Sequence, residues 1–342
     1  MALVCVPAGG RGEKLAANIP KSIGALAFAG LVVLAVAPAG IAETDAKWKL
    51  TAKNRPATCA ILWRGVGRPS PAKSGKRDTT FVCHTRFVLS HNNTAKTADW
   101  VIERLPKKQV SGKFDRPKKS FGQEKLVPPR GRARDEDYTN TPQDFARGHL
   151  APSEDFNINE DLMKESFVLS NAVPQVGARF NGAIWGQLED EVRAAARERG
   201  EIHVITGPVP RLGNSRNRTV AKADNACGNA IELEGPADRI VCEAHNENRS
   251  VACTTGVAVP IALFKIVYDR KNGGAAYAFV LPNRDHPSKQ GDEVRTYLDQ
   301  FRTTVAVLER LTGLQFLLNL KGEKRRRIVQ ECAPGALWAQ VR

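Results

Sequence analysis

Asp144-Phe145-Ala146-Arg147-Gly148-His149-Leu150-Ala151-Pro152 is the stretch from which the fold is read. Arg147 and His149 stand two residues apart, and on an extended backbone side chains alternate between faces, so both point to one face. Arginine's planar fork suits a phosphate, and histidine titrates near neutrality, where a general base works best. Gly148 allows a tight backbone or the close approach of a ligand. The pattern suits phosphodiester hydrolysis, with Arg147 gripping phosphate while His149 takes a proton from water. A solvated loop with a structural histidine explains three residues equally well, so the weight falls on what surrounds them.

Downstream, Asn181–Arg199 carries Ile184, Leu188, Val192 and Ala195 at spacings of four, four and three, which predicts a helix stopped by Gly200. Counting about 100° per residue places Asn181 in the middle of the apolar face. An amide there is either a helix N-cap or a metal ligand. Upstream, residues 106–134 are rich in Lys, Arg, Pro and Gly, including Arg116, Lys118, Lys119 and Arg130. They read as a surface loop that tracks a phosphate backbone, with a solvated charge run as the alternative.

Phe145 through Ser153 resembles the Asp-Arg-Gly-His-X-Ala-Pro signature of the DNA/RNA non-specific endonucleases, the family of endonuclease G. Further blocks follow in that family's order: Phe167–Asn171 with Pro174-Gln175, Asn181 with Trp185 and Glu189, Val204–Val209, Val259-Pro260 with Leu263–Lys265, Ala278–Asn283, and Glu309–Phe316. The similarity spans roughly residues 60 to 320, and ordered blocks are far more specific than a triplet. The resemblance implies an α+β fold with a ββα-metal (His-Me finger) core inside a larger domain built on antiparallel sheet with flanking helices. It implies a DNA- or RNA-cleaving enzyme of low sequence specificity, with His149 as base and Asn181 holding Mg²⁺, for which Mn²⁺ could substitute. Arg147 and Arg116 would face the phosphate, Glu189 would order metal-bound water, and Asn171 would steady the site. Lys118, Lys119 and Arg130 would add nucleic-acid contacts. One departure is Ala146, where the family usually has an acid that could pin the arginine. A non-catalytic nucleic-acid-binding protein on the same fold is the rival expectation.

With 51 Lys plus Arg against 36 Asp plus Glu, the chain carries a formal charge of +15, which attracts polyanions. Arg11, Lys14 and Lys21 precede an uncharged run from Ser22 to Ala42, which reads as a signal peptide. A protein exported to the periplasm or secreted is therefore expected, with no stable membrane association after cleavage. A membrane anchor through 22–42 is the alternative, and a mitochondrial transit peptide fits the solid apolar block less well. The remaining cysteines, Cys59, Cys83, Cys227, Cys242, Cys253 and Cys332, form an even set without zinc-site spacing and suit disulfides; Cys59 with Cys83 is the local pairing. The expected layout is 1–42 signal, 43–57 arm, 58–320 endonuclease domain and 321–342 basic tail. Strand-like runs fall between Cys59 and Leu89, at Trp100–Leu105 near a sheet edge, and at 202–206, 257–260, 264–268 and 276–281. Asp292–Leu311 reads as one amphipathic helix. Oligomeric state, a homodimer included, is left open.

Overall fold

The computed structural model describes residues 55–72, 77–118, 121–139, 145–211, 217–236, 256–271 and 274–338. The expected leader, Cys242 and Cys253 lie outside these residues. The first described element is a helix, α1 (Arg55–Trp63), so Cys59 is helical where strand was expected. A two-residue strand β1 (Ser70–Pro71) leads to the meander β2 (Thr79–Cys83), β3 (Phe87–Asn92) and β4 (Thr97–Pro106). Val82, Val88, Leu89, Val101 and Ile102 are buried there, as β-branched and aliphatic residues on a pleated surface should be. After the short α2 (Glu136–Thr139) come β5 (Ala146–His149), α3 (Glu160–Glu165), β6 (Ala172–Gln175) and α4 (Gly186–Arg199). The second half adds β7 (Glu201–Val209), β8 (Asn217–Val220), β9 (Ile231–Glu234), β10 (Ala262–Asp269) and β11 (Ala275–Pro282). It closes with α5 (Asp292–Asp299), β12 (Arg302–Thr303), α6 (Val305–Thr312), β13 (Leu314–Gln315) and α7 (Gly322–Gln330).

The main sheet has the order β12-β11-β10-β7-β4-β3-β2, and its pairings are antiparallel. The 100–105 run, placed near an edge by sequence, is interior, between β7 and β3. Every position of β10 is buried, so both faces are covered. This explains why β10 reads as a mainly apolar run, interrupted by Lys265 and ended by Asp269, rather than as an alternation. Val257–Pro260, expected as strand, joins no sheet, although Ala258 N donates to Ala95 O at 2.9 Å.

One helical expectation is corrected. Asp292–Leu311 is two helices, because the chain pairs Arg302 with Phe279 and Thr303 with Ala278 before restarting. Thr304 caps the restart, its hydroxyl oxygen accepting from Val307 N at 3.3 Å. The apolar spacing runs through the break since Val294, Leu298, Phe301, Val305 and Leu308 are all buried. The 321–342 tail is, through Trp338, part of the fold. Ile328, Val329 and Leu337 are buried, Arg325 pairs with Glu309 at 2.8 Å, and Cys332 is bonded to Cys227. The Cys59–Cys83 disulfide forms as the local pairing.

Candidate active site

The signature strand β5 pairs antiparallel with β6 in a register that sets Ala146 opposite Gln175, Arg147 opposite Pro174, Gly148 opposite Val173 and His149 opposite Ala172. The chain then turns into helix, giving strand, crossover, strand and helix in the expected ββα order. Asn171 closes the crossover. Its Nδ2 donates to Ala151 O at 2.9 Å and Ser166 O at 3.0 Å, and its Oδ1 accepts from Ala151 N at 2.9 Å. Fully buried and fully bonded, this amide is a brace for the hairpin. Asn283 is a second brace that sequence reasoning passed over. Its Oδ1 accepts from Val176 N at 2.9 Å while Nδ2 donates to Pro174 O at 3.0 Å and Pro260 O at 3.1 Å. Gly148 is required by close packing, because a Cβ there would run into the Gln175 side chain.

His149 is buried at the end of β5, between Phe121 at 4.6 Å and the edge-on ring of Phe167 at 4.8 Å. The Ser166 hydroxyl donates to Met163 O at 2.7 Å, so its oxygen is left to accept from His149 Nε2, 3.5 Å away. That assigns the ring proton to Nε2 and leaves Nδ1 as the basic nitrogen. Burial, and secondarily the charge of Arg116, push the imidazole down to about 3, so it is neutral throughout the physiological range. Arg116 is exposed, with its guanidinium carbon 5.1 Å from the centre of the Phe167 ring; it is therefore a neighbour of the histidine. Lys118 is exposed, and Lys119 lies outside the described residues. Arg130 pairs with Asp78 at 3.1 Å in solvent.

Arg147 donates from Nη2 to Asp135 Oδ1 at 2.7 Å and lies over the Tyr138 ring at 5.6 Å. The missing acid at 146 therefore leaves the arginine anchored, from the turn before α2. Strand alternation in fact turns residue 146 away from Arg147 and toward Gln175. The Gln175 amide is buried there, and among the described residues neither its nitrogen nor its oxygen has a hydrogen-bond partner.

The helix that follows β6 begins as nine π-helical residues, Gly177–Trp185, before α4. Asn181 N donates to Val176 O, five residues back, at 3.0 Å. The wider winding invalidates a 3.6-residue count across 181–185 and leaves Asn181 half-buried, not at the centre of the apolar face. Asn181 is inside the helical segment, which disposes of the N-cap alternative. Its side-chain amide makes no hydrogen bond among the described residues, and β5 packs against this segment. A half-buried carbonyl oxygen without a partner suits a hard divalent cation, whose other ligands can be water and phosphate. Among the described residues no three His, Cys, Asp or Glu side chains gather as a metal cage.

Glu189, half-buried on α4, is pushed up to about 7 by burial, against the pull of Lys265 and Arg193. Beneath it lies a buried charged cluster that the sequence did not announce. Lys265 donates to Thr206 Oγ1 at 2.9 Å and sits 4.9 Å from the centre of the Trp185 ring. Arg193 holds Asp155 at 2.8 Å and Asp190 at 2.5 Å. Glu103, fully enclosed, is raised well above the usual carboxylate range by burial and then by Asp155.

A family model described as DNA/RNA non-specific endonuclease matches residues 69–323. The chain belongs to that family. This endonuclease is 28% identical to "Nuclease EXOG, mitochondrial" of Danio rerio, over 78% of this chain and 68% of the relative. A "Nuclease" of Syncephalastrum racemosum is 30% identical over 76% and 72% of the two chains. The "Mitochondrial nuclease" of Saccharomyces cerevisiae is 26% identical over 72% and 68%. Its fold matches the crystal structure of an EndoG/EndoGI complex with a TM-score of 0.60, over 82% of this chain and 98% of that one, at 22% identity. The endonuclease is thus a nucleic-acid hydrolase of a divalent-metal-dependent family, on an α+β fold with a ββα-metal core. Export, and the membrane anchor through 22–42, are corrected by these relatives, several of which are mitochondrial by name. A basic stretch followed by an apolar run is not specific to one membrane, so the leader's composition misled. No helix among the described residues is long and apolar enough to cross a membrane.

Proposed function

We propose that this mitochondrial endonuclease cleaves phosphodiester bonds of DNA and RNA with little sequence preference, His149 acting as general base and Asn181 as the protein ligand of Mg²⁺. The observation that carries this is a buried, neutral imidazole on the first strand and an amide without a partner among the described residues on the helix of one ββα unit. Nδ1 of His149 takes the proton of an attacking water while Nε2–H stays on Ser166. Arg147, steadied by Asp135, and Arg116 add positive charge where the transition state gathers negative charge. A phosphate arriving beside Arg116 offsets the charge that depresses His149 and raises its proton affinity toward the working range. When bound, the divalent cation supplies Lewis-acid charge at the scissile phosphate and the leaving oxygen, and Mn²⁺ is an admissible substitute. Glu189 stands on the same helix, two turns beyond Asn181, to orient water. Asn171 keeps the hairpin in register, and Lys118, Lys119 and Arg130 extend the basic track. Contacts of this kind go to the backbone and carry little base information.

The test is nicking of supercoiled plasmid and cutting of RNA by the full chain with Mg²⁺ or with EDTA, beside His149→Ala and Asn181→Ala. Metal-dependent cutting lost in both variants, with folding intact, is expected. Cutting by His149→Ala at the wild-type rate would remove the proposed base.

A further inference from the structure

His84, in the turn between β2 and β3, has no place in the chemistry above. It is buried, its ring stacks on Phe87 at 4.4 Å, and its two nitrogens face two carboxylates. Nε2 lies 3.0 Å from Glu124 Oε2 and Nδ1 lies 3.3 Å from Glu165 Oε1. Only the imidazolium carries an N–H on both nitrogens, so it is the form that satisfies both acceptors. The carboxylates are fixed in turn. Glu124 accepts from Leu126 N at 2.9 Å and from Ser170 Oγ at 3.3 Å, and both Glu165 oxygens accept from Thr85 N at 3.2 Å.

What these carboxylates hold is the wall around His149. Phe121 is three residues before Glu124; Ser166 and Phe167 directly follow Glu165. All three touch the His149 ring. The two segments are also bonded to each other, Gly122 N donating to Phe167 O at 3.0 Å and Leu169 N to Gly122 O at 2.8 Å. Neither segment belongs to the main sheet; His84, at the sheet's β2–β3 turn, ties both to the scaffold, beside the Thr85 N bonds that hold Glu165 alone.

We propose that His84 is a positioning residue for the catalytic base: by joining Glu124 to Glu165 it closes the aromatic box that shields His149. This rests on His149 being the base. It also gives the box a pH dependence. Burial opposes the charge on His84, but the hydrogen bonds and charges of Glu124 and Glu165 prevail and raise its pKa, while both carboxylates are held low, against burial, first by their hydrogen bonds to His84. The clamp's contribution is therefore complete below the imidazole's unfolded value, about 6.5. It is lost as pH rises through the raised folded value, and at the acid end as pH falls through the lowered carboxylate values. Glu124 and Glu165 are the charged groups facing the ring; β3 offers only the Phe87 face.

The test uses the full chain and His84→Gln, with two readouts: acylation of His149 by diethyl pyrocarbonate, located by peptide mass spectrometry, and kcat/KM for plasmid cleavage across neutral to alkaline pH. In the wild type His149 should resist acylation at neutral pH and become reactive, with falling kcat/KM, as His84 loses its proton. In His84→Gln it should be reactive at neutral pH, with kcat/KM down about 100-fold, the scale on which a displaced reacting group acts. A folded His84→Gln chain with a protected His149 and the wild-type profile would overturn the proposal. Should that variant not fold, the wild type decides alone: NMR titration of His84 must coincide with the onset of His149 acylation, and an onset that follows another group overturns it equally. Persistent cleavage by His149→Ala would instead defeat the assignment of the base, and the acylation data would still report on the clamp.

Discussion

Asp135→Asn removes the charge opposite Arg147 while preserving side-chain shape. The pair is short, 2.7 Å, but wet, with 26% of the arginine side chain and 57% of the aspartate side chain exposed. An ion pair in that setting is worth about 0–1 kcal/mol, which caps its effect at about fivefold, since 1.4 kcal/mol is tenfold. If Asp135 orients the guanidinium for phosphate, kcat/KM for plasmid nicking falls by up to that factor, and high salt shrinks the difference between variant and wild type. A rise in kcat/KM would refute the reasoning, for it would mean that the carboxylate competes with phosphate for the arginine. Adding Ala146→Asp sharpens the result. Residue 146 faces Gln175, opposite to Arg147, so an acid there should not recover the lost rate. Recovery would show that the two side chains communicate across the strand.

Gly148→Ala would place a methyl 2.5 Å from Gln175 Cγ and nearer still to its amide. Overpacking of this kind costs about 1–3 kcal/mol, to be read from urea midpoints; an unchanged midpoint would contradict the packing described. Lys265→Met strips the cation from beside Glu103 and Glu189, and breaking a buried charge set costs about 3–5 kcal/mol. Denaturant unfolding should register the loss. The Cys227–Cys332 bond closes 105 residues and Cys59–Cys83 closes 24, for which chain entropy gives about 4.8 and about 3.4 kcal/mol. Cys332→Ser should therefore lower stability more than Cys59→Ser, and the reverse order would show that native-state effects outweigh loop length.

The ββα unit was legible because its chemistry sits at fixed offsets: Arg147 and His149 two apart on a strand, Asn181 and Glu189 eight apart on a helix. The π-helical start of that helix was not, since a slip to i→i+5 bonding changes no residue type and the apolar positions from Ile184 onward keep their 3.6 rhythm. The break after Asp299 was hidden for a related reason, as the buried face continues across β12; the residual signal was Thr304, a capping residue before an apolar run. Charged residues on strands gave no sign of the buried cluster. Glu103 and Lys265 interrupt apolar runs, yet both are buried with each other for company. His84 left no pattern at all, because its partners stand 40 and 81 residues away. Asp135 was equally hidden, since an acid's tie to Arg147 was sought next to it in sequence and lies in the preceding turn.

Asn283 fastens the end of β6 from 107 residues downstream of Val176. During synthesis it leaves the ribosome after every residue proposed here for base, metal, water and phosphate, and only just after β10 and β11, which extend the sheet beyond β7. A nascent or prematurely terminated chain can thus contain the entire chemistry of a nuclease and still lack the clasp that sets its hairpin. The order of the sequence supplies the hairpin's clasp only after the residues that it helps to position.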